Sequence, residues 1–185
     1  EEGLIIDDGT VTVTASTEGL EGADIAISGG STSVTSSDDG INAAGGSTST
    51  TPQGGGGGEQ VGDFSLVISG GTLVVDAGGD GLDSNGTASI TGGTVVVNGP
   101  TTSGNGALDV NGSFEVSGGV LLAAGSSGMV VSPAAGSAQG WISATLTSAV
   151  KAGSVVQIVD GNGTVVATFV TAKTAQSIVF SSAAI

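Results

Sequence analysis

Pairs of glycines close short apolar runs at intervals along this chain, and this repeat constrains the fold more than any other feature. The runs read IAISGGSTSV, LVISGGTLVV, ASITGGTVVV and FEVSGGVLLA, and a shorter run, DDGTVTV, fits as a partial fifth copy. The residues three and five positions before the second glycine, and two and four positions after it, are nearly all apolar. Because residues two apart on a strand share a face, the repeat predicts four columns of inward side chains.

A second motif, an acid or small polar residue followed by glycine and usually by an apolar residue, lies between those runs. Its copies are Glu2-Gly3-Leu4, Glu18-Gly19-Leu20, Asp39-Gly40-Ile41, Asp80-Gly81-Leu82, Asn105-Gly106 and Ser127-Gly128-Met129, spaced 16, 21, 41, 25 and 22 residues apart. Stacked rungs can bury an apolar face that one rung cannot. We therefore predict an all-β fold, a right-handed parallel β-helix or solenoid with about 21 residues per rung. The handedness follows from the bias of parallel crossovers.

The chain divides into two parts of one domain. Residues 1–137 are predicted to form the rungs, with a flexible Gly-rich insertion at 45–62 that contains TSTTPQGGGGGEQ. Residues 138–185 lack the repeat, and their alternating apolar runs flank the turn Asp160-Gly161-Asn162-Gly163, which is typical of a hairpin.

One outward column predicts where the C-terminal strands lie. It changes from Thr12 and Ser33 to Val74, Val96 and Leu122 along the chain. An exposed apolar stripe promotes association. We therefore expect the antiparallel C-terminal strands to pack on this face of the later rungs.

Charge and composition exclude several classes of function. The formal net charge is -15, with only 2 lysines and arginines in 185 residues. Nucleic acids and anionic membranes select basic proteins, and no apolar run reaches the roughly 18 residues of a membrane span. We therefore expect neither nucleic-acid binding nor membrane insertion. The chain opens on Glu1-Glu2 within the repeat pattern, which predicts that it is a piece of a longer protein.

The acidic motif points to a metal. In-register strands lie about 4.8 Å apart, so Glu18, Asp39 and Asp80 would form a ladder of carboxylates, and two such charges repel by about 3 kcal/mol at an effective dielectric of 20. Calcium accepts several carboxylate, amide and carbonyl oxygens in flexible geometry. The candidate calcium ligands are Glu18, Glu21, Asp38, Asp39, Asn42, Asp80, Asp83, Asn105 and Asp109. A solvated acidic edge that is screened by salt is the alternative.

The residues needed for catalysis are scarce. The sequence has no His, Arg, Tyr or Cys. Paired carboxylates at about 5 to 9.5 Å support glycoside hydrolysis, but any acidic ladder meets that distance, so the criterion selects little. We expect a protein that is not an enzyme.

A polysaccharide has two physical routes to this chain. Calcium can bridge the carboxylates of uronate sugars, or the rows of hydroxyls at Thr10, Ser31, Thr72 and Thr94 can bind a sugar by hydrogen bonds. Plain β-propensity on a solvated face explains these rows equally well.

The chain also resembles a family of bacterial surface proteins with carbohydrate-binding domains, right-handed parallel β-helices similar in shape to pectate lyases. The resemblance covers nearly the whole chain. It is carried by EGLEGADIAISGG (Glu18 to Gly30), TSSDDGINA (Thr35 to Ala43), GGDGLDSNG (Gly78 to Gly86), SGNGALDVNG (Ser103 to Gly112) and AGSVVQIVDGNGTVVATF (Ala152 to Phe169).

The resemblance implies calcium at the acidic corners and adhesion to plant-type polysaccharide. The expected function is thus an extracellular or cell-surface, calcium-stabilised, non-catalytic module that binds acidic or plant cell-wall polysaccharide. The alternative is a structural subunit of a surface layer or extracellular filament that self-assembles through its β-strand ends.

Overall fold

The computed structural model describes residues 3–45 and 61–185, and these residues form eighteen β-strands and no helix. Most of the predicted insertion at 45–62 lies outside the described residues. No described segment is a helix long and apolar enough to cross a membrane.

Three sheets of parallel strands form most of the molecule, and the chain passes through them in turn. The first sheet contains β1 (Gly3–Ile6), β4 (Asp24–Ile27), β7 (Ser65–Ile68), β10 (Thr87–Ile90) and β13 (Phe114–Val116). The second contains β2 (Thr10–Val13), β5 (Ser31–Ser36), β8 (Thr72–Ala77), β11 (Thr94–Asn98) and β14 (Val120–Gly125). The third contains β3 (Leu20–Gly22), β6 (Ile41–Ala43), β9 (Leu82–Ser84) and β12 (Leu108–Val110).

The remaining strands are antiparallel and follow the last parallel strand. They are β15 (Trp141–Val150), β16 (Val155–Val159), β17 (Val165–Val170) and β18 (Ala175–Ser181). β18 pairs with both β14 and β15, so it extends the second sheet to seven strands, whereas β16 and β17 form a separate hairpin.

Strand partners come from successive copies of the repeat. In the first sheet, Gly3 pairs with Asp24, Asp24 with Ser65, and Ser65 with Thr87. The predicted inward columns are confirmed, because the apolar residues at these positions on the middle strands are almost completely buried in one core cluster, as Ile25, Leu66, Ile68, Leu73, Val75, Ile90 and Val95 show.

The grouping of Glu2-Gly3-Leu4 with the acidic motif is wrong. Gly3 and Leu4 belong to β1, which pairs with β4 in the first sheet, whereas the motifs at Glu18, Asp39, Asp80 and Asn105 precede strands of the third sheet. The sequence Glu2-Gly3-Leu4 matches the acidic motif. However, β1 (GLII) pairs with β4 (DIAI) because this register aligns the apolar residues of the two strands.

The paired glycines are required where the chain turns from the first sheet to the second. Gly71 has a φ of +74°, a backbone conformation that residues other than glycine rarely adopt. A Cβ placed on Gly71 would also lie 2.5 Å from the carbonyl oxygen of Gly29 in the neighbouring copy. The corner therefore needs glycine both for its backbone angle and for its close approach to the copy before it.

The C-terminal strands pack on the outer face of the second sheet. Leu122 points outward from β14, yet it is only 9% exposed because it packs in a cluster with Ile158, Ile178 and Phe180. Val96 is partly covered by the same cluster, whereas Val74 remains 37% exposed. The predicted cover thus lies over β11 and β14, the last two parallel strands of the second sheet.

An ion pair ties the start of β18 to an earlier copy of the repeat. The Lys173 ammonium lies 2.8 Å from the Asp76 carboxylate and donates a hydrogen bond to the Ala77 carbonyl. One of the two basic side chains in the chain is thereby used to fix the C-terminal strands.

Candidate functional site

The acidic motifs meet at the corner that precedes the third sheet. The Gly19 N–H donates to the Asp39 carbonyl (2.9 Å), and the Gly40 N–H donates to the Asp80 carbonyl (2.8 Å). Glu18, Asp39 and Asp80 therefore occupy equivalent positions in three neighbouring copies of the repeat, as the spacing predicted. We call this set the corner column.

The carboxylates of the corner column also hold the backbone of the next copy. Asp39 Oδ1 accepts the Asp80 N–H at 2.7 Å, and Asp80 Oδ1 accepts the Gly106 N–H at 2.6 Å. Each of these aspartates thus uses one side-chain oxygen to fix the neighbouring corner.

The alignment of Asn105 with this column is wrong by one position. Leu108 pairs with Leu82, and the Gly81 N–H donates to the Gly106 carbonyl, so Gly106 lies beside Asp80. The reason is the register of the leucines, which must both point into the core and so set the alignment of the turn before them. The prediction that Asn105 is a ligand stays a prediction.

A second polar column lies on the third sheet itself, three residues after the corner. Strand register places Glu21 beside Asn42, Asn42 beside Asp83, and Asp83 beside Asp109. We call these four residues the strand column. Asn42 is 2% exposed and Asp83 is 8% exposed, which is unusual for polar side chains on the outward face of a strand.

The electrostatics of the two columns are coupled. Burial, followed by the charges of Asp39, Asp38 and Glu21, raises the pKa of Glu18 to about 7, and a side-chain hydrogen bond from Asn42 partly opposes this. The predicted ligands Glu18, Glu21, Asp38, Asp39 and Asn42 are therefore neighbours in the structure.

Burial likewise raises the pKa of Asp80 to about 7. The hydrogen bond from Gly106 opposes that rise, and the charges of Asp39, Asp109 and Asp38 add to it. Burial also raises the pKa of Asp39 against the hydrogen bond from Asp80. The carboxylates are thus placed where their negative charge is poorly solvated.

Two buried oxygens at this corner lack partners. Glu18 Oε2 and Asn42 Oδ1 are both buried and accept no hydrogen bond among the described residues. A buried polar atom without a partner costs about 1 to 3 kcal/mol. Oxygens of these two kinds are the ligands that calcium prefers, so the residues present fit such an ion.

Carboxylates alone do not form a closed metal site. Within residues 3–45 and 61–185, no three acidic side chains converge closely enough to hold an ion. A cation at this corner would therefore need amide or backbone oxygens as well, of which Asn42 Oδ1 is the buried example.

The hydroxyl rows are exposed as expected. Thr10, Ser31, Thr72 and Thr94 pair in register along the second sheet, and all four lie at the surface. The row ends at Val120, which occupies the same position on β14.

Sequence reasoning missed a polar cavity of about 120 Å³ near the C-terminal strands. Its lining is drawn from residues 101–103, 126–127, 149 and 174–176, four segments that are far apart in the chain. Two of these segments lie at copies of the repeat motifs, at Ser103 and at Ser127-Gly128-Met129, but nothing in those motifs indicated that the C-terminal strands close a cavity over them.

Comparison with known proteins gives one match over nearly the full length. A family model described as carbohydrate-binding domain-containing protein matches residues 1–184. No curated protein and no solved structure matches the chain.

Proposed function

The chain belongs to the family of carbohydrate-binding domain-containing proteins, and we propose that it is an extracellular, calcium-stabilised, non-catalytic module for polysaccharide binding and adhesion. Family membership supports the polysaccharide part of this proposal.

The proposed architecture is a right-handed parallel β-helix of about 21 residues per rung. In its support, each copy of the repeat contributes a strand to the parallel sheets in a fixed order. In the turns, the hydrogen-bonded neighbours Asp7 and Ser28 lie 21 positions apart, and Asp80 and Gly106 lie 26 apart. Such a coil places equivalent corners of successive rungs next to each other.

The observation that carries the calcium proposal is the pair of buried, unpartnered oxygens, Glu18 Oε2 and Asn42 Oδ1. They lie among carboxylates whose pKa values are raised by burial and mutual repulsion. The predicted ligands Glu18, Glu21, Asp38, Asp39 and Asn42 would hold the ion. When bound, calcium supplies positive charge and a partner for several oxygens at once.

Two observations support a non-catalytic role. The chain has no His, Arg, Tyr or Cys to assist a reaction. The two carboxyls whose pKa is raised to about 7 belong to Glu18 and Asp80, and Asp80 already uses one oxygen to hold the Gly106 backbone. We therefore assign these carboxyls a structural role at the corner rather than the role of a catalytic acid and base.

Uronate polysaccharides fit the acidic corner as partners. A protein of net charge -15 repels a polyanion unless cations bridge the two. Calcium bound at the corner would share its remaining coordination positions with a uronate carboxylate. Plant cell-wall polysaccharides rich in uronates are therefore the expected class.

Thermal unfolding with and without calcium tests this proposal. The melting temperature should rise with calcium concentration, because an ion that binds only the folded state stabilises it. Glu18→Gln should lose most of the rise, whereas Glu115→Gln, which removes an exposed carboxylate from the first sheet, should keep it. Equal stabilisation by sodium at matched ionic strength would contradict the calcium site.

Polysaccharide binding is measured separately by pull-down on polygalacturonate and cellulose. Retention on polygalacturonate that is lost with a chelator supports calcium bridging. Failure to bind either polymer under any condition would contradict the proposed function.

One observation favours the alternative, a subunit that assembles through β-strand ends. Among the described residues, β15 is an edge strand of ten residues that pairs on one side only. Its open side offers backbone groups to another strand. Sedimentation that shows ordered growth with protein concentration would support this second function, and a single monomer species would oppose it.

A further inference from the structure

The cavity lies where the turns that follow β11 and β14 meet the C-terminal strands, and its lining includes no carboxylate of the corner column. Its volume is about 120 Å³, and six of its lining side chains are polar and uncharged: Thr101, Ser103, Ser126, Ser127, Thr174 and Gln176. Ala149 and Ala175 complete the lining.

Hydrogen bonds fix three of the lining side chains of the cavity before any ligand binds. The Ser127 hydroxyl donates to Gln176 Oε1 at 3.2 Å, and Gln176 Nε2 donates to the Leu146 carbonyl at 3.2 Å. The Ser126 hydroxyl donates to the Asn105 carbonyl at 2.9 Å. The Gln176 amide is thus held at both ends, and it keeps a second N–H and a second lone pair for a ligand.

Further hydroxyls stand at the mouth of the cavity. Thr101, Ser103 and Thr174 are exposed, and each hydroxyl can both donate and accept a hydrogen bond. The methyl groups of Ala149 and Ala175 add small apolar surfaces to the lining. A lining that combines hydroxyl, amide and methyl groups complements a sugar ring, which carries hydroxyls at its edge and C–H groups on its faces.

The size and charge of the cavity restrict its occupant. Sites for drug-sized ligands measure on the order of 300 to 1,000 Å³, so about 120 Å³ accommodates one ring rather than a length of polymer. No lining residue is basic, so a uronate carboxylate would find no counter-charge there. The chemistry therefore selects an uncharged sugar.

We propose that this cavity binds the terminal residue of a neutral glycan. The inference rests on the proposed carbohydrate-binding function and adds a second site, which works without calcium and selects a different class of sugar from the acidic corner.

The test is an NMR titration of the ¹⁵N-labelled chain in chelator with cellotetraose, mannotetraose, xylotetraose and tetragalacturonate. At least one neutral oligosaccharide should shift the amide signals of Ser103, Ser127, Thr174 and Gln176, and tetragalacturonate should not. Gln176→Ala should raise the dissociation constant roughly tenfold through the lost hydrogen bonds. Ala149→Trp should abolish binding by filling the cavity. Glu115→Gln, which changes an exposed residue of the first sheet, should bind as the wild type does.

Each other outcome overturns the site. Shifts confined to another surface, or wild-type affinity in both cavity variants with unchanged melting temperatures, would place the sugar elsewhere while the proposed function stands. Polysaccharide pull-down without any response to the neutral oligosaccharides would also leave the proposed function intact and remove the cavity. Absence of all binding, to polymers and oligosaccharides alike, would remove both.

Discussion

At the scale of single residues, the aspartates of the corner column have two opposing effects on stability. Asp39 and Asp80 each accept a backbone N–H from the next corner, which aligns adjacent copies of the repeat. Their burial beside like charges opposes ionisation, as the raised pKa values show. Without a cation, each aspartate keeps its hydrogen bond to the next corner, but its poorly solvated negative charge lowers the stability of the fold.

This balance predicts a pH dependence for Asp80→Asn in metal-free protein. The folded-state pKa of Asp80 is raised from 3.8 to about 7, so the folded state binds more protons than the unfolded state between these values. The stabilisation from this group is present below about pH 4 and is lost as the pH rises to 7. Asparagine keeps an acceptor for Gly106 without the charge.

The variant should therefore match the wild type near pH 4 and exceed its free energy of unfolding by about 1 kcal/mol at pH 7.5, a value reduced for solvent screening. Urea unfolding at several pH values measures the difference. Glu115→Gln is the control for a general loss of negative charge. A constant difference between Asp80→Asn and the wild type at all pH values would show that Asp80 is not the titrating group.

At the scale of elements, the second sheet shows how one column of outward residues changes its environment along the molecule. Thr12, Ser33, Val74, Val96 and Leu122 are neighbours in register on five strands. Only the last two pack against the C-terminal strands and the hairpin. The residues of this column are therefore apolar on the strands that the C-terminal segment covers.

Replacement of Leu122 and Val74 by asparagine tests this cover with two members of one column. Leu122→Asn should lower the free energy of unfolding by about 3 kcal/mol, because it leaves a cavity and a buried amide in the cluster with Phe180. Val74→Asn should cost about 0.5 kcal/mol, since the position is already exposed. Chemical denaturation measures both values, and similar losses at the two sites would argue against a specific cover.

At the scale of the whole molecule, the hairpin of β16 and β17 is attached less firmly than the sheets beneath it. The two strands pair only with each other. Val155, Val159, Val165 and Val170 on its outer face are 47% to 66% exposed. Ile158 is its one buried apolar anchor.

Amide hydrogen exchange should therefore proceed in two stages. The hairpin amides should exchange at least about tenfold faster than those of β8 and β11, because they open without disruption of the parallel sheets. β18, which is buried and paired on both sides, serves as the internal control and should exchange with the sheets. Uniform protection across hairpin and sheets would instead indicate a single cooperative unit.

The limits of sequence reasoning on this molecule are visible at particular positions. The alternation around the paired glycines located the buried columns, and the acidic motifs located Glu18, Asp39 and Asp80 in one column, because both patterns are local and repeat with the rungs. The sequence did not predict the one-residue shift at Asn105, because the shift depends on which leucines pair across the sheet. The sequence also did not predict the near-complete burial of Asn42 on an outward face, because that burial depends on contacts with other parts of the chain.

The sequence by itself determined that this chain is a repeating all-β protein with acidic corners, because the side-chain alternation and the glycine turns are short-range properties of each copy. Only the tertiary structure decided which oxygens are buried without partners and which distant segments enclose the cavity of Gln176. Burial and enclosure depend on atoms brought together from separate parts of the chain, and no local pattern encodes that proximity.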